Sequence, residues 1–160
     1  MASIITRTVC IVLLASVTGV TVYASGGRAA DTVVSKDAPD LTAVRAKIKA
    51  KDFSGAVVDL TKLTETVQHA DVYSLLGFSL RKSRDYKAAL TFYQKALEFD
   101  TKHLGAHEYL GELYVETGQP AKAQDMLAKL VVLCPKGCEE REDLEAAIKQ
   151  GASVPLPKPQ

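Results

Sequence analysis

The chain has 160 residues, 47% hydrophobic and 24% charged, with a formal net charge of +1 and no Trp. That length makes one modest domain with terminal extensions, and a charge so near zero gives no reason to expect nucleic acid or an anionic membrane surface as partner. Leu, Ala, Lys and Glu dominate the middle of the chain, a composition that favours helices.

Residues 1–24, MASIITRTVCIVLLASVTGVTVYA, follow a different rule. One cation, Arg7, precedes an apolar run from Val9 to Val22, and small or permissive residues close it at Ala24. This is the layout of a secretory signal cleaved after Ala24. An uncleaved anchor is the alternative, although a membrane span needs about 20 apolar residues and the run is shorter. Both readings export the body of the protein, to the periplasm or the extracellular space, and membrane contact follows only if the segment is retained. Residues 25–38, SGGRAADTVVSKDA, are small, polar and aperiodic, and read as a linker.

From Pro39 onward apolar residues recur at three and four, the signature of short amphipathic helices. Sliding the sequence by 34 residues lays 70–103 on 104–137. Leu76 then falls on Leu110, Gly77 on Gly111, Leu80 on Tyr114, Ala89 on Ala123, Tyr93 on Leu127 and Ala96 on Leu130. A helix-interior glycine costs about 1 kcal/mol, so Gly77 and Gly111 must be compensated. Close approach of helix backbones beside the small Ala89 and Ala123 would supply that. Gly118-Gln119-Pro120 suits the turn between two antiparallel helices, with Pro120 at a helix start.

The blocks resemble the tetratricopeptide repeat, a helix–turn–helix unit of the same length. Its bulky, Leu-Gly, aromatic, small and Pro positions are filled by His107, Leu110-Gly111, Tyr114, Ala123, Leu127, Leu130 and Pro135 in the second block. In the first they are filled by Tyr73, Leu76-Gly77, Leu80, Ala89, Tyr93 and Ala96, with Thr101 in place of Pro. The resemblance implies an all-α solenoid of two and a half to three units whose repeat core is this set. One repeat alone buries too little to fold, so neighbours must complete it. Residues 39–69 read as a degenerate first repeat, since Asp52-Phe53 and Ala56 echo Asp85-Tyr86 and Ala89. Residues 138–150 read as a capping helix, with Leu144, Ala147 and Ile148 on one face. The tail from 151 to 160, GASVPLPKPQ, reads as disordered.

In such folds the first helix of each pair lines a concave face that binds protein segments. Carried onto this chain, the resemblance implies a partner-binding face of Asp71, Ser74, Phe78, Arg81 and Lys82, followed by Gly105, Glu108, Glu112, Val115 and Glu116. Glu108, Glu112 and Glu116 form an acidic stripe toward the Arg81/Lys82 end. It reads either as a solvated face with inter-helix ion pairs or as a polar groove for a peptide or partner helix.

Removal of the leader takes Cys10 with it and leaves Cys134 and Cys138, around a Pro and a Gly. Two nearby thiols in an oxidising compartment pair, and a structural disulfide would lock the cap to the last repeat. A redox or metal-handling role for the pair is the competing reading. It lacks the usual two-residue spacing, has Glu139 and Glu140 to raise a neighbouring thiol, and has no further zinc ligands at finger spacing. His103 and His107 share a helix face but read as a helix-start residue and a packing residue, and His69 as a loop residue. The sequence shows no catalytic constellation, phosphate loop or cofactor motif. The reading is a non-catalytic interaction module with a protein or peptide partner, self-association through the solenoid ends being a further option.

Overall fold

The computed structural model describes residues 38–151. The leader at 1–24, the linker up to residue 37 and the tail from 152 lie outside the described residues. Seven helices run through them, with no strand: α1 (Thr42–Lys49), α2 (Phe53–Leu63), α3 (Ala70–Lys82), α4 (Tyr86–Phe99), α5 (Leu104–Glu116), α6 (Pro120–Leu133) and α7 (Glu139–Gly151). None of them is long and apolar enough to cross a membrane.

The helices pair as α1/α2, α3/α4 and α5/α6, and each pair packs against the start of the next. The three turns within pairs share one backbone signature. Lys51, Arg84 and Gly118 occupy the same place in them, with φ of 60°, 66° and 71°. The left-handed conformation costs a side-chain-bearing residue about 1–2 kcal/mol, and only the third turn uses Gly. The residue that follows caps the next helix in the first two pairs. Asp52 accepts from the Gly55 N–H at 2.9 Å and Asp85 from the Ala88 N–H at 3.1 Å, satisfying one orphan donor of each helix start.

The joints between pairs use histidine instead. His69 and His103, 34 residues apart, are the N-cap residues of α3 and α5, each accepting a backbone N–H on Nδ1. With Nδ1 of His103 accepting, its Nε2–H donates to Asp71 Oδ1 at 2.9 Å and ties the start of α5 to the start of α3. His107 is buried and donates from Nε2 to the Thr101 carbonyl at 3.0 Å. That bond fixes the turn in which Thr101 replaces the usual Pro.

Within the repeat core, Tyr73, Leu76, Gly77, Ala89, Tyr93, Ala96, Leu110, Gly111, Tyr114, Ala123 and Leu130 are buried, while Leu80 and Leu127 are half-buried. Pro135 is a correction. It is exposed in the turn after α6 and packs in no core. The glycines are corrected in mechanism. The space beside each is filled by a bulky side chain rather than by the small Ala89 or Ala123. A Cβ on Gly77 would lie 2.7 Å from the Tyr93 ring, and one on Gly111 would lie 2.5 Å from Leu144. Tyr93 is fully buried and hydrogen-bonded, so its ring cannot retreat. Gly77→Ala is therefore expected to lose about 2 kcal/mol by overpacking, read as a lower urea midpoint at unchanged slope.

The last helix proves to be more than a lid. Leu76, Leu110 and Leu144 stand 34 residues apart, so α7 occupies the place of a further first helix and stays in register. Leu144 is fully buried against Gly111. Where Gly77 and Gly111 make room for a neighbour, the corresponding residue of α7 is Glu145, exposed and paired to Arg141 at 2.8 Å. Glu145 thus stands where the two earlier first helices carry glycine, and α7 is the last helix among the described residues.

Cys134, the C-cap of α6, is bonded to Cys138 just before α7, with a Cα–Cα distance of 6.0 Å. Gly137 turns the intervening loop with φ 96°. Closing so short a loop removes about 2 kcal/mol of unfolded-chain entropy.

Candidate functional site: the first-helix face

Among the first helices, α3 packs directly on α5 and α5 on α7, while no comparable contact joins α2 to α4 or α4 to α6. The stack is therefore tighter on its first-helix side. The residues expected on that face divide into three groups.

The first group has left the surface. Ser74 is buried, and its Oγ has no hydrogen-bond partner among the described residues. Arg81 is only 2% exposed and Glu108 only 7%. These three were read as partner contacts, and their burial corrects that reading, because a side chain sealed by its neighbours cannot meet a partner in the structure as it stands. Val115 is half-buried under the C-terminal end of α7, where it packs on Gly151. Asp71 is half-buried, and His103 occupies its carboxylate.

Arg81 is the hub of the second group. Its guanidinium donates from Nε to Tyr93 Oη at 3.3 Å and pairs with both Glu112 and Glu116 of α5. The acidic stripe is thus largely an inter-repeat ion-pair network, the first of the two readings of that stripe. Burial opposes the charge of Arg81, but Tyr93, Glu112 and Glu116 outweigh it and hold the guanidinium above its ordinary value. Burial also pushes the Tyr93 phenol well above its usual range.

The third group is the open one. Phe78 is half-buried between Phe53 of α2, at 6.2 Å between ring centroids, and Tyr109 of α5, at 4.9 Å. Lys82 is exposed and stands 5.2 Å over the Phe78 ring, a geometry favourable to a cation on an aromatic face. Tyr109 was not anticipated. It is half-buried, and burial together with Glu108 and Glu112 pushes its phenol up to about 12. At the turn edge of the face, a cleft of ≈ 400 Å³ is lined by Arg81, Lys82, Arg84, Tyr86 and Glu116.

Glu108 stands apart electrostatically. Burial first, then the like charges of Glu112, Asp143 and Glu140, raise its carboxyl to about 8, against a weaker opposing pull from Arg81. The folded chain thus holds a proton that the unfolded chain releases above the ordinary carboxylate range. Its contribution to stability is largest at acid pH and is lost as pH rises through about 8. Glu108→Gln should remove that slope. We expect the variant to exceed the parent by about 2 kcal/mol at pH 9 and to match it near pH 5, a value set below the full shift because Glu112 and Asp143 are partly hydrated. Urea melts at the two pH values measure both differences.

Among the described residues no group of His, Cys, Asp or Glu is arranged as a metal-ligand set. The fold and its open face define a helical-repeat module of the tetratricopeptide type. Residues 80–133 match the family model described as tetratricopeptide repeat. A solved structure titled "Crystal structure of MamA" superposes with a TM-score of 0.55 at 20% identity, covering 71% of this chain and 74% of that one. No curated protein matches the sequence.

Proposed function

We propose that the chain is a non-catalytic scaffold of the cell envelope that takes a partner peptide or helix on its first-helix face. Phe78, Tyr109 and Lys82 would supply the contact. The observation that carries the reading is this aromatic and cationic strip. Phe78 and Tyr109 are left half-exposed on the tight side of the repeat stack, where Arg81, Glu112 and Glu116 are paired to one another. Aromatic side chains with a polar end are the common anchors of protein interfaces. Tetratricopeptide repeats bind protein partners generally, which supports the class of function. The envelope location rests on the secretory layout of residues 1–24 and on the Cys134–Cys138 bond, which persists in an oxidising compartment.

The test is affinity capture from an exported fraction with three baits. Lys82→Glu changes an exposed residue of the strip, and Val58→Glu an exposed residue of α2 on the other side, where Val58 is 68% open. A partner retained by the parent and by Val58→Glu but lost by Lys82→Glu supports the face. Loss only with Val58→Glu overturns it. Recovery of the tagged chain solely in the cytoplasm would refute the envelope assignment.

A further inference from the structure

We infer that the chain's own proline-rich segment, residues 154–159, docks on the Phe78/Tyr109 strip, so that a partner takes the face by displacing it. The inference rests on that strip being the binding face, and it assigns what covers the strip before a partner arrives.

The strip is part of a longer aromatic row. Phe53, Phe78 and Tyr109, from α2, α3 and α5, follow one another with ring centroids 6.2 and 4.9 Å apart, and all three are half-buried. Rings left partly open in this way keep apolar area whose burial is favourable.

The fold delivers the chain to this row. α7 ends at Gly151, where an added Cβ would lie 2.4 Å from Val115 Cγ1. The chain therefore passes out of the described residues against the first-helix face of α5. Glu116, the neighbour of Val115, lines the ≈ 400 Å³ cleft together with Lys82, and Lys82 stands over Phe78. The exit, the cleft and the aromatic row thus adjoin. Tyr109 lies six residues before Val115, about 9 Å back along α5. Four residues lead from Gly151 to Pro155 and eight to Pro159. Eight extended residues span about 25 Å, so the reach is ample.

The sequence of the segment suits such a surface. Residues 154–159 read VPLPKP, and each is a proline or precedes one. Proline fixes its own φ and holds the residue before it to extended backbone. A sequence of this kind gives up little conformational freedom on binding, and proline-rich stretches dock on aromatic-lined surfaces. The tether adds to this. A short linker holds a segment at an effective concentration on the order of millimolar. An intrinsic dissociation constant of about 0.1 mM then keeps the strip about nine-tenths covered.

The test compares the full chain with a full-length variant combining Pro155→Ser, Pro157→Ser and Pro159→Ser, both labelled with 4-fluorophenylalanine. The fluorine resonance of Phe78, assigned through Phe78→Leu, should move between the two chains while those of Phe92 and Phe99 stay in place. The probe in trans is fluorescein-labelled Ser-Val-Pro-Leu-Pro-Lys-Pro-Gln. It should bind the triple variant about tenfold tighter than the parent, whose own segment competes. The same peptide with serine for each proline should bind the triple variant at least about tenfold more weakly. An unmoved Phe78 resonance overturns the inference, as does equal affinity of the probe for both chains. Indifference to the prolines of the probe overturns it too, and so does absence of binding at millimolar concentration. A partner still captured by the parent and lost by Lys82→Glu would then leave the binding face standing and remove only its intramolecular cover.

Discussion

Replacing Arg81 by methionine is expected to destabilise the protein by about 3 kcal/mol, the low end of the cost of breaking a buried ion pair. The guanidinium is almost fully buried, and it joins three elements: its own α3, Tyr93 on α4, and Glu112 and Glu116 on α5. Methionine fills the volume but leaves the Tyr93 hydroxyl unpaired and two carboxylates side by side. The lower figure is chosen because Glu112 and Glu116 retain partial contact with water, their side chains being 22% and 36% exposed. Lysine should not rescue the site, since a point charge cannot serve two carboxylates and a phenol in one plane. Adding Glu112→Gln to Arg81→Met should cost less than the sum of the single changes, and a double-mutant cycle in urea measures that coupling. Because Arg81 joins the α3/α4 pair to the α5/α6 pair, the methionine variant should also unfold with a shallower denaturant slope, as stacking between repeats loosens.

Leu144→Ala is expected to cost about 3 kcal/mol, within the range of 2–5 for removing a fully buried leucine. Its side chain is fully buried and fills the space left by Gly111. The loss should appear as undocking of α7, with amides of α7 and of the Gly111 turn of α5 exchanging faster while those of α3 stay protected. Reducing the Cys134–Cys138 bond should cost less, about 2 kcal/mol. The contrast separates packing from tethering. If reduction undid α7 while Leu144→Ala did not, the disulfide would be the main lock.

The repeat was legible because its determinants are local and periodic. Leu76-Gly77 and Leu110-Gly111 at one spacing carry their own comparison, and the match at residues 80–133 includes the second of these pairs. The third member of the series, Leu144, was equally visible at the same interval, although α7 read only as a cap. His69 and His103 likewise stand 34 apart at helix starts, a signal for the caps they form. What the sequence could not decide was which neighbours touch. Arg81 and Lys82 are adjacent cations on one helix, yet one is buried and the other exposed. The difference comes from Glu112 and Glu116, 31 and 35 residues away. The face was similarly readable in outline but not in content. Ser74, Arg81 and Glu108 share its positions and are withdrawn by packing, whereas Tyr109, outside the usual contact positions, stands beside Phe78. Positional rules give the direction a side chain leaves its helix, while exposure depends on how closely the next helix approaches.

The most direct measurement of the central claim is photocross-linking in the exporting cell, with p-benzoylphenylalanine placed at Lys82 in one strain and at Val58 in another. Both positions are exposed, one on the first-helix face and one on the second-helix side. A covalent adduct formed from position 82 and absent from position 58 is the predicted result. Adducts from position 58 alone would contradict the account and move the binding surface to the opposite side of the solenoid.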